Sequence, residues 1–284
     1  MMARKYREIG KAGWGYTAIT SVVGVIYFFP VLWIILTAFK NRTDALAVPP
    51  KLIFSPTLEN FTSVFYRASI TTGTSQATDM GLYFFNSIFI AFTSVGLALI
   101  VGTLAAYAFS NDTYLFIILT TRMMPPIVVI IPIFLMFRLS GLAGSYWGII
   151  LLYTAFNIPF SVWLVKSFFD ELNPEIEDAA RMDGSTERRV FFRFCIPQIL
   201  AGLSATFVFG LILTWNEFLF ALLLTGVETR TVPVAMARTL GGEVGVDYGL
   251  LAAIVTLFLI PIFFVTFLLQ NQLLRGVTFG TVKK

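Results

Sequence analysis

Few side chains in this sequence could do chemistry, and two charged ones lie inside long apolar stretches. A charge at the centre of a membrane span costs about 2.5–3.5 kcal/mol on insertion scales, so Arg122 and Glu217 must each face other helices, a partner or water. We expect Glu217 either to line a polar route or to form a structural hydrogen bond or ion pair. For Arg122 the structural alternative is favoured, because this residue precedes Pro125 and Pro126 and could bond the carbonyls that a helix break frees.

Neutral polar and aromatic side chains form a second group. Tyr153, Asn157 and Ser161 recur every four residues and therefore share one face of a helix. Together with Trp215 and Asn216 they supply the aromatic faces and hydrogen-bonding groups that suit a sugar, although such a stripe also serves to hold membrane helices together. The candidate solute-path residues are Tyr153, Asn157, Ser161, Trp215, Asn216 and Glu217.

Composition excludes most catalytic chemistry. The 284 residues include no histidine and one cysteine, Cys195, so an internal disulfide and a Ser–His or Cys–His nucleophile pair are impossible. A metal site built from the usual His and Cys ligands is not expected either. The sequence has no G-x-x-x-x-G-K-[ST] loop, which would cradle nucleotide phosphates. We expect neither an enzyme nor a bound cofactor in this chain.

The elements that must position these residues are membrane helices. Hydrophobic residues make up 57% of the chain and charged residues only 13%, whereas about a quarter of a soluble domain is charged. A membrane span needs roughly 20 mostly apolar residues. We therefore predict an all-α fold, a polytopic membrane helical bundle in a single domain over residues 1–284. The six predicted transmembrane helices are Tyr16–Phe39, Tyr83–Phe109, Tyr114–Phe137, Trp147–Phe169, Gln198–Thr225 and Gly249–Leu274.

Proline and charge refine this bundle. The third predicted span contains Pro125, Pro126 and Pro132, so it should be kinked or broken. Lys and Arg are concentrated at the N-terminus and between the fourth and fifth spans, which favours cytoplasmic termini, with the inverted topology as the alternative. We interpret the net charge of +4 in the same way, as a sign of membrane topology and not of nucleic-acid binding.

A charged, helix-forming segment separates the fourth and fifth spans. Pro174 can begin a helix, because its missing N–H falls where helix donors have no partner anyway. Gly184 can end that helix in the left-handed conformation, and Ser185 can cap a second one. An amphipathic helix lying on lipid is one interpretation, but the alanines and acids of this segment favour a protein partner. The short apolar face consists of Ile176, Ala179, Ala180 and Met182.

This segment resembles the EAA loop of ABC-transporter permeases, which has the pattern E-A-A-x-x-x-G followed nine residues later by I-x-L-P. The first part is matched by Asp178–Ala180 and Gly184, and the second by Phe194 and Ile196–Pro197. The sequence departs from the pattern by having Asp178 in place of Glu and Phe194 in place of Ile. Both changes are mild, and the resemblance predicts a cytoplasmic coupling loop over residues 170–197.

Two further stretches resemble the carbohydrate branch of that family, the maltose-type permeases. Trp215–Phe218 matches a W-N-E-F signature, and Gln270–Lys283 matches a Q…G-x-T-x-G-x-V-K tail. The resemblance implies a permease subunit of a binding-protein-dependent importer in the bacterial inner membrane, which moves a sugar or sugar-like solute by alternating access. The implied partners are a second permease subunit, two ATPase subunits that bind ATP and Mg²⁺, a periplasmic or lipid-anchored solute-binding protein, and membrane lipid.

The resemblance also assigns two sets of site residues. A coupling helix, seated in a cleft of an ATPase subunit, would carry the ATP-driven motion to the spans. The outer loop Gly226–Tyr248 would reach toward the docked binding protein, unless it is only a connector. The coupling residues are Glu175, Glu177, Asp178, Ala179, Ala180, Met182, Asp183 and Gly184, and the binding-protein contacts are Gly241, Gly242, Glu243, Val244 and Gly245.

A self-sufficient secondary transporter or channel is the alternative function. Such a protein would need a proton or sodium relay within its spans and often has internal repeats. Glu217 is the one clear membrane carboxylate in this sequence, and we find no repeat. An intramembrane enzyme is still less favoured, because the sequence has no histidine and no cluster of metal ligands.

Overall fold

Helices form nearly all of this computed structural model, which describes residues 14–68, 75–109, 112–240 and 246–279. The all-α prediction is confirmed, apart from a two-stranded antiparallel ribbon in which Tyr66 lies opposite Ala77. In chain order the elements are α1 (Trp14–Ala38), α2 (Arg42–Ala45), α3 (Glu59–Phe65), β1 (Tyr66–Ala68), β2 (Ser75–Ala77), α4 (Met80–Ala108), α5 (Asp112–Thr120), α6 (Pro126–Leu139), α7 (Tyr146–Phe169), α8 (Pro174–Met182), α9 (Glu187–Arg189), a π-helical segment (Val190–Cys195), α10 (Ile196–Gln198), α11 (Leu200–Trp215), α12 (Leu219–Leu224), α13 (Val232–Thr239) and α14 (Tyr248–Phe279).

Four of the predicted spans are single long helices. Helices α1, α4, α7 and α14 each contain a stretch long and apolar enough to cross a membrane. The third predicted span is broken as its prolines indicated, since α5 ends at Thr120 and α6 begins at Pro126. Each of these two halves is too short to be counted as a span by length, so the predicted count of six stays a prediction.

The fifth predicted span is also interrupted, which the sequence did not indicate. The chain bends by 73° where the helical stretch Glu187–Gln198 meets α11. Helix α11 then ends at Trp215, and α12 begins at Leu219 after a short non-helical link. The second break falls on the Trp-Asn-Glu-Phe motif, so the polar residues of that motif lie at a helix end and not inside a continuous helix.

The described residues within Met1–Thr78 and Thr239–Leu257 form one compact unit. In this unit the side-chain amide of Asn60, on α3, donates hydrogen bonds to the carbonyl oxygens of Ala38 (2.9 Å) and Lys40 (2.7 Å). The side chain of Lys40 is buried, and its ammonium lies 4.1 Å from the centre of the Trp33 ring. The chain that leaves α1 is therefore held in a defined path against α3.

The described residues within Asp79–Arg238 and Phe258–Lys284 form the second unit, whose centre is the packing of α4 against α7. Apolar burial does not drive helix association in lipid, so membrane helices depend on close approach at small residues. Gly102 of α4 provides such a point. A methyl group added there would lie 2.6 Å from Cβ of Ser161 and 3.1 Å from the backbone nitrogen of Val162, both on α7.

Gly102→Ala is therefore expected to lower the thermal unfolding midpoint of the full chain in detergent. The added methyl group meets backbone atoms that cannot turn aside, and overpacking of this kind costs about 1–3 kcal/mol. Gly96→Ala is the matched control, because Gly96 lies on the same helix and has no neighbour within 4 Å of the added methyl group. Equal unfolding midpoints for the two variants would show that α4 and α7 do not pack closely at Gly102.

Candidate functional site

A cavity of about 190 Å³ lies where the two broken spans meet α7. Its polar lining comes from Arg122 in the link between α5 and α6, Tyr153 and Asn157 on α7, Thr214 on α11, and Glu217 in the link before α12. Three of the six candidate solute-path residues, Tyr153, Asn157 and Glu217, thus line a single cavity. Arg122, whose role the sequence left open, lines it too.

Glu217 stabilises the break in the fifth predicted span. Its carboxylate accepts hydrogen bonds from the backbone N–H groups of Phe220 (2.9 Å) and Ala221 (3.1 Å), which lie in the first turn of α12 and have no partner within that helix. The hydroxyl of Tyr153 donates a third hydrogen bond to the same carboxylate. A negative charge at a helix N-terminus is further favoured by the helix dipole. Glu217 therefore has the structural role that the sequence offered as one of two alternatives, while it also faces the cavity.

Asn157 presents an unused acceptor next to the cavity. Its side-chain N–H₂ group donates to the carbonyl oxygen of Tyr153 (2.8 Å) and to Oγ1 of Thr214 (2.9 Å). Its Oδ1 atom is buried and has no hydrogen-bond partner. A buried polar atom without a partner costs about 1–3 kcal/mol, so this arrangement is costly unless a bound molecule or water supplies a donor.

Arg122 does not bond freed carbonyls as the sequence suggested. Its guanidinium lies 5.4 Å from the centre of the Phe160 ring, a cation–π contact that orients the side chain. Within the described part of the chain, the guanidinium donates no hydrogen bond and pairs with no carboxylate. Arg122 is therefore a positive charge on the cavity wall that forms no ion pair with a described acidic side chain, although the carboxylate of Glu217 lines the same cavity.

The other three candidate solute-path residues do not line this cavity. Ser161 is buried at the crossing of α4 and α7, where its Cβ faces Gly102. The indole N–H of Trp215 donates to the carbonyl oxygen of Phe258 (3.1 Å), and the two rings stack. The amide of Asn216 donates to the backbone one turn earlier in α11. For these residues the structure favours the alternative role of packing and helix stabilisation.

The predicted coupling helix is formed by α8, and its glycine stop is confirmed. Gly184 has a φ angle of +77°, a conformation that residues with a Cβ rarely adopt. The N–H of Gly184 donates to the carbonyl of Arg181 (2.9 Å), and the N–H of Ser185 donates to the carbonyl of Ala180 (3.0 Å). This pair of hydrogen bonds is the Schellman helix end. Ser185 does not cap the next helix, because α9 begins one residue later, after Thr186.

Arg181 organises this segment, and the sequence analysis did not single it out. Its guanidinium donates to both carboxylate oxygens of Glu187 (2.8 and 3.2 Å), to Glu177 (2.9 Å) and to Asp178 (3.2 Å). These hydrogen bonds lower the pKa of Glu187 and raise that of Arg181. The signal available in the sequence was the spacing, since acids three and four residues before an arginine share its helix face. We call these four residues the Arg181 cluster.

The predicted coupling residues divide into an inner and an outer set. Ala180 is buried with Val190 and Cys195. Glu177 is half-buried and accepts a hydrogen bond from the Tyr107 hydroxyl (3.4 Å) of α4. These two residues therefore hold the helix onto the bundle. The outer set is exposed, Met182 to 88%, and consists of Glu175, Asp178, Ala179, Met182, Asp183 and Gly184.

The outer loop Gly226–Tyr248 begins with a tightly held base. The buried Asn86 of α4 donates from its amide to the carbonyl oxygens of Glu228 (2.8 Å) and Arg230 (2.9 Å), and it accepts from the Tyr146 hydroxyl (2.7 Å). Helix α13 follows this base. The predicted binding-protein contacts, Gly241 to Gly245, lie outside the described residues.

Comparison with known proteins gives three findings. Residues 94–279 match the family described as binding-protein-dependent transport system inner membrane component. The chain is 36% identical to a probable ABC transporter permease protein, y4oR, of Sinorhizobium fredii, over 94% of this chain and 95% of that protein. It is 30% identical to the trehalose transport system permease protein SugB of Mycobacterium tuberculosis, over 93% and 95%.

A solved structure shares the fold. It is the crystal structure of a bacterial ABC transporter involved in the import of the acidic polysaccharide alginate, one chain of which matches with a TM-score of 0.69. The match covers 94% of this chain and 97% of that chain, at 21% sequence identity. At this level of identity the likeness concerns the fold.

Replacement of Glu217 by alanine is expected to loosen the start of α12. The loss of a helix cap costs about 0.5–2 kcal/mol, so backbone amides of peptides that cover 219–224 should exchange with deuterium roughly 2- to 30-fold faster. Asn216→Ala is the control, because it removes the neighbouring polar side chain without touching the amides of Phe220 and Ala221. Unchanged exchange in Glu217→Ala would mean that the carboxylate does not support α12.

Proposed function

We propose a function from one established premise: this chain belongs to the family of binding-protein-dependent transport system inner membrane components. It is a multi-pass inner membrane protein and the permease subunit of an ABC importer. Membership of this family excludes the alternative of a self-sufficient secondary transporter or channel. ATP hydrolysis belongs to a separate subunit, in keeping with the absence of a phosphate-cradling loop from this sequence.

The solute that we propose is a sugar or a sugar-like molecule. A relative that is 30% identical over nearly the whole chain is a trehalose transport permease. The cavity fits this class of solute, because it combines the aromatic rings of Phe156 and Tyr153 with the amide of Asn157. The chain would form half of the translocation path, and a second permease subunit would form the other half.

The partners that we propose are those of a complete importer. Two ATPase subunits, which hold ATP and Mg²⁺, would dock on the cytoplasmic side, and a periplasmic or lipid-anchored binding protein would deliver the solute on the other side. Both termini of the chain would then be cytoplasmic, as the distribution of Lys and Arg favours. The apolar surface of α1, which is exposed along most of its length, would face lipid or the second permease.

One observation carries the proposed coupling mechanism: the inner residues of α8 fix it to the bundle, while its outer residues are exposed. The Arg181 cluster ties α8 to α9, and the Tyr107 hydroxyl ties Glu177 to α4. A force applied to the exposed side of α8 is therefore transmitted to a long membrane helix. Closure of the ATPase dimer on ATP would in this way shift the population of inward-facing and outward-facing states.

Gly184→Val is expected to reduce solute uptake by at least tenfold while the chain still reaches the membrane. Valine resists a φ angle of +77°, so α8 would extend or tilt where it meets the ATPase. Gly141→Val is the matched control, because Gly141 also has a positive φ, +71°, and open space around it, but it lies after α6, away from α8. If both variants transport normally, or lose uptake equally, α8 is not the coupling element.

The outer loop supplies a separate prediction. Replacement of residues 241–246 by a Ser/Gly linker should leave membrane insertion intact and weaken the stimulation of ATP hydrolysis by loaded binding protein. The measurement is ATP turnover by the assembled transporter in proteoliposomes, with and without binding protein. Undiminished stimulation and undiminished uptake would identify the loop as a connector between α13 and α14.

A further inference from the structure

Two residues that line the cavity carry a polar group that nothing in the described structure satisfies. The guanidinium of Arg122 lies on the cavity wall without an acidic partner, and Oδ1 of Asn157 is buried without a donor. The third polar group behaves differently, because the carboxylate of Glu217 already accepts three hydrogen bonds and lies at a helix N-terminus. Its carboxylate is therefore already solvated by protein donors, whereas the guanidinium of Arg122 has no hydrogen-bond acceptor among the described residues.

We propose that this cavity binds an acidic sugar, with the acid group on Arg122 and a ring hydroxyl on Oδ1 of Asn157. This inference rests on the proposed function as a sugar permease and adds the charge of the solute. A planar guanidinium is the side chain best matched to the two oxygens of a carboxylate or to a sulfonate. An amide oxygen needs a donor, which a neutral hydroxyl supplies and an anionic oxygen does not.

The size and the walls of the cavity agree with this solute. Its volume of about 190 Å³ is below the roughly 300–1,000 Å³ of sites for drug-sized ligands, so it has room for about one sugar ring. The ring of Phe160 fixes the direction of the guanidinium, which reduces the entropy lost when an anion binds. Phe156, which is partly exposed, gives the sugar ring an aromatic surface to lie on.

The test measures the charge that the cavity presents to a small reagent. In the assembled transporter, Cys195→Ser removes the natural thiol and Met124→Cys places a reporter thiol on the cavity wall. The reporter is modified with two methanethiosulfonates of similar size, one carrying a sulfonate and one a quaternary ammonium. One nearby charge in a water-like medium changes each rate about fivefold, in opposite directions for the two reagents, so Arg122→Gln should lower the ratio of the sulfonate rate to the ammonium rate by up to about 25-fold.

Two variants keep this result interpretable. Arg122→Lys keeps the positive charge and should keep the rate ratio. Arg138→Gln removes an exposed arginine of α6 that does not line the cavity, so the rate ratio should again be unchanged. In the reporter variant that keeps Arg122, D-glucuronate should slow modification of the reporter thiol more than D-glucose does. Arg122→Gln should abolish that difference.

Four results would overturn the inference. The first is an unchanged ratio of modification rates in Arg122→Gln, and the second is a lowered ratio in Arg138→Gln. The third is equal slowing of the modification by glucose and by glucuronate, and the fourth is a reporter thiol that neither reagent modifies. A carboxylate of the second permease paired with Arg122 would give the first of these results. The proposed permease function is tested separately by uptake in Gly184→Val, which does not depend on the charge of the solute.

Discussion

A break in a membrane helix exposes backbone donors and acceptors that lipid cannot satisfy, and this constraint shapes the centre of the molecule. The break in the fifth predicted span is stabilised because one carboxylate, that of Glu217, accepts from two backbone amides in the first turn of α12 and from the Tyr153 hydroxyl. The same break opens room between α7, α11 and α12, and the cavity lies there. A single side chain thus stabilises the irregular backbone and forms part of the wall that a solute would meet.

A second charged residue plays a comparable part at the α8 end of the bundle. Arg181 satisfies three carboxylates at once, which brings the end of α8 against α9 and leaves the Schellman turn at Gly184 exposed. Both regions use one side chain with several partners to define an irregular stretch of backbone. In the cavity this produces a site open to a small molecule, and at α8 it produces a surface open to a protein.

The sequence predicted the parts of this structure that depend on local physics. Four long spans follow from runs of apolar residues, the break in the third follows from Pro125 and Pro126, and the end of α8 follows from Gly184. The break at Asn216–Phe218 could not be predicted, because its stabilisation depends on Tyr153, sixty-four residues away in sequence. In the same way, Ser161 is buried against Gly102 and Trp215 against Phe258. Both partners are far away in sequence, so local patterns could not predict these contacts. Resemblance to a family predicted the coupling loop, yet it did not reveal that Ala180 faces the bundle and Met182 faces outward.

The central claim is that the exposed side of α8 is the surface on which an ATPase subunit acts. The most direct measurement is photo-crosslinking from p-benzoylphenylalanine placed at Met182, which is 88% exposed, in cells that express the whole transporter. Leu139, which is 89% exposed at the far end of α6, is the control position. The account predicts a covalent adduct between this chain and the ATPase subunit from position 182 and none from position 139. An adduct from both positions, or no ATPase adduct from position 182, would contradict it.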